Sequence, residues 1–173
     1  MRRAPGTAMP QRYTPRLATF NYVGSYRYSL TWCTYERRPV FHSMARVTDV
    51  LSQILRSAGR HDIAVLAYCF MPDHLHLLVA GQEETSETLR FINLAKQLSG
   101  HRYRQATGHR LWQRSSWDRV LRADDDTTTV MRYLLLNPVR AGLVDEPLNY
   151  PGSGSLVFER AELLDVFRDW MPG

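Results

Sequence analysis

The sequence predicts an α+β domain built as a central antiparallel sheet flanked by helices. Three observations carry that expectation. A nine-residue apolar run, residues 63–71, is followed after Pro72-Asp73 by the alternating stretch HLHLLVA, residues 74–80, as in a β-hairpin. Two segments, near 44–57 and 87–105, repeat apolar residues at helical spacing. The order of elements is strand, helix, strand, strand, helix, strand, helix, which folds as helices packed on an antiparallel sheet.

Residues 1–25 are rich in Pro, Gly, Thr and Arg without a period, and read as a basic arm. Residues 26–35 (YRYSLTWCTY) are aromatic, Thr-rich and partly alternating, and read as a strand that Arg37, Arg38 and Pro39 interrupt. Ser43 stands where a helix cap belongs. Val47, Val50, Leu51, Ile54 and Leu55 then share one face of a helix that Gly59 ends. The hairpin over 63–80 follows. The next helix, 87–105, turns Leu89, Ile92, Ala95 and Leu98 inward, and Gly108 ends it. Residues 111–121 (LWQRSSWDRVL) read as a strand with interleaved basic residues. Asp124-Asp125-Asp126 marks a helix start, because anions suit a helix N-terminus, and the helix is expected over 127–137, stopped or kinked by Pro138. A last helix is expected over 159–169. The domain plan is therefore a basic arm over 1–25, one domain over 26–145 and an acidic, partly helical tail over 146–173.

Composition excludes several classes. At 173 residues, 44% hydrophobic and 23% charged, the chain has the size of one globular domain. Its longest apolar run is half of what a membrane-spanning helix needs, and no apolar segment follows the N-terminal arginines as a secretory signal would. Two cysteines, Cys33 and Cys69, both in apolar surroundings, read as reduced thiols and exclude a disulfide framework and a Cys-based zinc site. The net charge is +5, and Lys96 is the one lysine among 22 basic residues. Arginines crowd residues 1–46 and 90–122, whereas the chain from Asp145 onward is acidic. That distribution suits a polyanionic partner, with the acidic tail as an internal competitor for its site.

His74 and His76 flank Leu75 on a strand, so both imidazoles project from one face and can converge on a cation. Such a pair is also found as two solvent-facing polar residues. Tyr133 and Asn137 are one helical turn apart and share a face. Asn137 offers an amide oxygen suited to a hard divalent ion, or a simple C-cap before Pro138. Tyr133 offers a phenol, or a core aromatic. Trp112 and Trp117 alternate with Arg114, Arg119 and Arg122, as in surfaces that stack bases and bind phosphates, or as in a half-buried edge strand. Asp73 reads as a turn residue directed away from His74.

The segments MPDHLHLLV (71–79), LWQRSSWDRVLR (111–122) and YLLLNPVRAGLV (133–144) together resemble the REP-associated tyrosine transposases, single-tyrosine members of the HUH endonuclease superfamily of the insertion-sequence 200 type. The resemblance spans residues 26–144. It implies a ferredoxin-like HUH sheet with the catalytic tyrosine on a C-terminal helix. It makes His74, His76 and Asn137 ligands of a divalent metal, Mg2+ or Mn2+, and Tyr133 the nucleophile. The activity it implies is metal-dependent cleavage and joining of single-stranded DNA beside palindromic hairpin repeats, through a 5′-phosphotyrosine with a free 3′-hydroxyl. A hairpin-binding protein without cleavage is the alternative. DNA contacts are expected from Arg12, Arg16, Lys96, Arg102, Arg104, Trp112, Arg114, Trp117, Arg119, Arg122 and Arg140. The arginines of 102–122 are expected to form one surface beside the metal site. A cytoplasmic, nucleoid-associated monomer or homodimer without membrane contact completes the expectation.

Overall fold

The computed structural model describes residues 21–114, 116–123 and 125–168. Most of the arm predicted over 1–25, including Arg12 and Arg16, lies outside the described residues.

The elements run β1 (Arg27–Cys33), α1 (Met44–Ala58), β2 (Ile63–Met71), β3 (His74–Gly81), α2 (Thr88–Thr107), β4 (Trp117–Val120), α3 (Thr127–Leu135), α4 (Asn137–Arg140), β5 (Ser153–Gly154) and α5 (Arg160–Asp165). The strands pair antiparallel in the order β4-β1-β3-β2-β5. Through β4 this is the βαββαβ ferredoxin-like succession, and β5 adds a short strand on the outer edge.

Strand alternation divides the side chains between two cores. Tyr28, Leu30 and Trp32 of β1 and Leu75, Leu77 and Val79 of β3 pack under α1 and α2 with Val47, Ile54, Phe91 and Ile92. The opposite face carries Leu78, Cys69 and Met71, covered by Met131, Leu134 and Leu135 of α3 and by Leu163 of α5. A bulge in β2 between Val65 and Ala67 links these sets. It shifts the alternation by one residue, so Val65 faces α1 and α2 while Ala67, Cys69 and Met71 face α3. The nine-residue run is apolar throughout because both of its faces are covered.

The helix starts and stops have local causes. The Asp126 carboxylate accepts from the Thr128 and Thr129 backbone N–H groups at 3.0 Å each and caps α3. α3 ends at Leu135 rather than Asn137 because Pro138 has no N–H to donate to Leu134. Four expectations are corrected. The strand read over 111–121 is reduced to Trp117–Val120, because Leu111 and Trp112 turn into the core under α2, leaving one bridge from Trp112 to Thr34. Ser43 precedes α1 without a side-chain capping bond. The last helix spans Arg160–Asp165 rather than 159–169. The acidic segment after Asp145 packs into the domain: β5 pairs with β2, the Tyr150 hydroxyl donates to the Phe70 carbonyl at 2.8 Å, and Leu163 is buried.

Candidate active site

The β2–β3 turn is clamped by the chain that leaves β1. The Thr34 N–H donates to the Asp73 carbonyl at 3.0 Å, the Thr34 hydroxyl lies between the Arg38 and Asp73 carbonyls at 2.7 and 2.9 Å, and the Phe41 N–H donates to the Pro72 carbonyl at 3.0 Å. β3 begins at once, and its pleat sends His74 and His76 to the α3 face. Their Nε2 atoms stand 3.0 Å apart, with the rings nearly perpendicular at 87°. Two imidazole nitrogens at that separation, each about 2.1 Å from one ion, subtend about 90° there, the cis angle of an octahedral site.

The remaining ring nitrogens are also engaged. Asp73 Oδ1 lies 2.6 Å from His74 Nδ1, so the carboxylate accepts the Nδ1 proton and leaves a lone pair on Nε2. Thr31 Oγ1 lies 2.9 Å from His76 Nδ1 and does the same when it accepts. Outer partners of this kind orient metal-binding histidines. Burial pushes the His76 imidazolium down to about 3, and repulsion from neighbouring His74, Arg37 and Arg140 acts in the same direction against a smaller opposing effect of Asp73. A neutral imidazole is the ligating form.

Asp73 thus departs from its expected role. It belongs to a turn, outside the pleat, and its carboxylate swings back to the next residue. Its Oδ2 also accepts from Arg37 Nε at 3.1 Å, and Arg37 Nη1 reaches Cys33 Sγ at 3.0 Å. Arg37 is held by a tight turn in which Glu36 and Arg37 both have left-handed backbones, φ 56° and 55°. For non-glycine residues that costs about 1–2 kcal/mol each.

Tyr133 is not a core aromatic: it is 54% exposed at the side of α3, while Leu134 and Leu135 hold the helix on the sheet. The Asn137 amide nitrogen donates to the Leu134 carbonyl at 2.9 Å, the acceptor left without a helix donor by Pro138. That bond fixes the amide and leaves Oδ1 without a hydrogen bond among the described residues. Arg140 folds back from α4 with its guanidinium 3.9 Å from the Tyr133 ring centroid. Among the described residues no group of three or more His, Cys, Asp or Glu could hold a metal. The Asn137 amide oxygen is a donor of the type a hard divalent ion takes.

The arginines do not form one surface beside the histidines. Lys96, Arg104 and Arg114 line a cleft of about 630 Å³ between α2 and residues 110–114, together with Arg110 and His101. α2 covers the other face of the sheet from His74 and His76. Trp112 also touches this cleft but is 4% exposed, wedged against Trp32 and Phe41, and its Nε1 donates to Ser99 Oγ at 2.9 Å. It is therefore a core residue with no open ring face for a base. Arg102 pairs with Asp49 of α1 at 2.9 Å. Trp117 and Arg119 stand on the histidine face, since Trp117 is in register with Thr31 and Thr31 with His76. Trp117 is 42% exposed, and Arg119 pairs with Asp125 at 2.7 Å. Arg122 is exposed just past β4, where its N–H donates to Asp125 Oδ2 at 2.7 Å. Sequence reasoning missed the partners Asp73, Thr31 and Arg37. The adjacency of Asp73 to His74 was a usable signal; Thr31 needed the register, and nothing in the sequence marked Arg37.

The fold thus sets paired imidazoles on one strand of a ferredoxin-like sheet and an exposed tyrosine on a helix over the same face, and the family it belongs to is one of DNA-cleaving and DNA-joining enzymes. Residues 22–133 match the family model described as "Transposase IS200 like", ending on Tyr133, and the chain belongs to that family. It is 25% identical over 139 residues to a protein of Haemophilus influenzae described as a REP-associated tyrosine transposase, covering 72% of this chain and 76% of the relative. Its fold is similar to that of a REP-associated tyrosine transposase solved bound to a REP hairpin, with TM-score 0.65 and 20% identity, covering 87% of this chain and 85% of the other. No described helix is long and apolar enough to cross a membrane.

Proposed function

We propose that the chain cleaves and rejoins single-stranded DNA beside palindromic hairpins, with Tyr133 as nucleophile and His74, His76 and Asn137 as ligands of Mg2+ or Mn2+. The observation that supports it best is the pair of Nε2 atoms 3.0 Å apart, with each Nδ1 taken up by its own partner. At that distance the two nitrogens share a proton when one of them carries it, and converge as two lone pairs on a cation when neither does. When bound, the ion supplies Lewis-acid polarisation of the scissile phosphate.

The chain's own residues do the rest. Tyr133 Oη attacks phosphorus, the bond from phosphorus to the 3′ oxygen breaks, and the phenolic proton is balanced by the proton taken up at the departing 3′-hydroxyl. The 5′ end stays on Tyr133, and reversal with another 3′-hydroxyl joins strands. Exposure of Tyr133 suits attack on an external strand. The basic cleft of Lys96, Arg104 and Arg114 suits the phosphates of the hairpin stem, and Trp117, on the histidine face, suits a flanking base. The relative solved with a REP hairpin supports a hairpin partner. The test is a denaturing gel of the full chain with labelled hairpin DNA and manganese. Wild type forms a covalent adduct, and Tyr133→Phe binds the hairpin without forming one. A Tyr133→Phe chain that still cleaves would transfer the attack to water.

A further inference from the structure

Arg140 was expected among the DNA contacts, yet the structure engages it within the protein. Its guanidinium carbon lies 3.9 Å from the centroid of the Tyr133 ring, and its Nη1 donates to the Tyr133 carbonyl at 3.1 Å. One side chain therefore holds both the ring and the backbone of the same residue. We propose that Arg140 is the positioning residue of the nucleophile, fixing the direction in which Tyr133 presents its hydroxyl. The proposal rests on the reading of Tyr133 as nucleophile.

The geometry follows from the Asn-Pro step. Tyr133 is in the last full turn of α3, where carbonyls lose their helical donors. Pro138 removes one donor and breaks the helix after Leu135, and the chain resumes as the single turn Asn137–Arg140. That break brings a residue seven positions on back over Tyr133. In an uninterrupted helix two residues seven apart are about 10 Å apart along the axis. The Asn137 amide donates to the Leu134 carbonyl at 2.9 Å and more distantly to that of Tyr133 at 3.4 Å, and Arg140 is the nearer side-chain donor to the Tyr133 carbonyl, at 3.1 Å.

The ring needs such a partner. At 54% exposure it is not seated in the core, and an exposed aromatic side chain otherwise changes rotamer on the ps–ns scale. A planar guanidinium over the ring face is a favourable cation–π arrangement and restrains the ring. Arginine is suited to this because its fork stacks and donates at once, whereas an ammonium does one or the other.

The experiment compares wild type, Arg140→Met, Arg140→Lys and Tyr133→Phe as full-length chains, using a hairpin oligonucleotide with single-stranded flanks. Single-turnover cleavage in manganese, hairpin Kd and Tm are measured. The ring is followed without activity by fluorine NMR of 3-fluorotyrosine-labelled protein, its signal assigned by loss in Tyr133→Phe. Arg140→Met is expected to slow cleavage about 30–100-fold, the scale of a misplaced reacting group. Hairpin Kd and Tm should stay near wild type, and the Tyr133 resonance should shift and narrow. Arg140→Lys keeps the charge over the ring but loses the fork, and should recover only part of the rate. An unmoved resonance with a wild-type rate in Arg140→Met overturns the proposal. So does a rate loss matched by an equal loss of hairpin affinity, which would make Arg140 a phosphate contact. If Tyr133→Phe itself cleaves, it is the nucleophile assignment that fails; the resonance shift still decides whether Arg140 holds the ring.

Discussion

Asp73 presents two oxygens to two donors: Oδ1 to His74 Nδ1 at 2.6 Å and Oδ2 to Arg37 Nε at 3.1 Å. Asp73→Asn leaves one acceptor oxygen for both. The Arg37 pair joins side chains 51% and 29% exposed and is worth well under about 1 kcal/mol. The remaining oxygen therefore stays with His74, while the charge that made the bond strong is lost. Charge-assisted hydrogen bonds are roughly twice as strong as neutral ones. Removing an outer partner of a metal-bound histidine costs about 10–100-fold in metal affinity. Asp73→Asn is accordingly expected near the 10-fold end and Asp73→Ala near the 100-fold end, about 1.4 and 2.8 kcal/mol. Isothermal titration with manganese measures both, with Tm by circular dichroism as the control for folding. Manganese bound by Asp73→Ala within twofold of wild type, while His76→Ala loses it, would refute the role given to Asp73. Wild-type binding by His76→Ala as well would remove the metal site.

The depressed imidazolium of His76 makes stability pH-dependent in a defined sense. The unfolded chain takes up this proton near pH 6.5 and the folded chain only near about 3, so the metal-free protein loses stability as pH falls through that window, at up to about 1.4 kcal/mol per pH unit. Urea midpoints from pH 7 to 4 should fall less steeply in His76→Gln, and equal slopes would show that His76 is not held neutral. Truncation after Asp145 removes Leu163 and the Tyr150 bond to the Phe70 carbonyl from the second core. Loss of one buried leucine alone costs about 2–5 kcal/mol. The truncated chain should melt well below wild type or fail to fold, contrary to the idea of a removable competitor for DNA. A truncated chain with wild-type Tm and faster cleavage would restore that idea.

Much of the molecule is determined locally and is legible without a fold. The hairpin over 63–80, the helices near 44–58 and 88–107, and the α3 start at Asp126 depend on periodicity, turn residues and a cap, all properties of short segments. The facing of His74 and His76 belongs with them, since the pleat alone puts residues two apart on one side. Tertiary structure decided the rest, because it depends on residues distant in sequence. Trp112 and Trp117 share one basic, aromatic segment, yet one is sealed behind α2 and the other stands in register with Thr31. Composition cannot separate them, since the difference lies in where the chain crosses the sheet edge. Asp73 escaped the alternation rule because turns do not follow the pleat. Thr31 became a partner of His76 only through β1–β3 register. The segment after Asp145 carries enough acids to suggest a solvated tail, but its apolar side chains find a sheet face that α3 alone leaves uncovered. Arg140 came to rest on Tyr133 because Pro138 breaks the helix between them, so a local rule supplied the break and only the folded chain showed what it brings together.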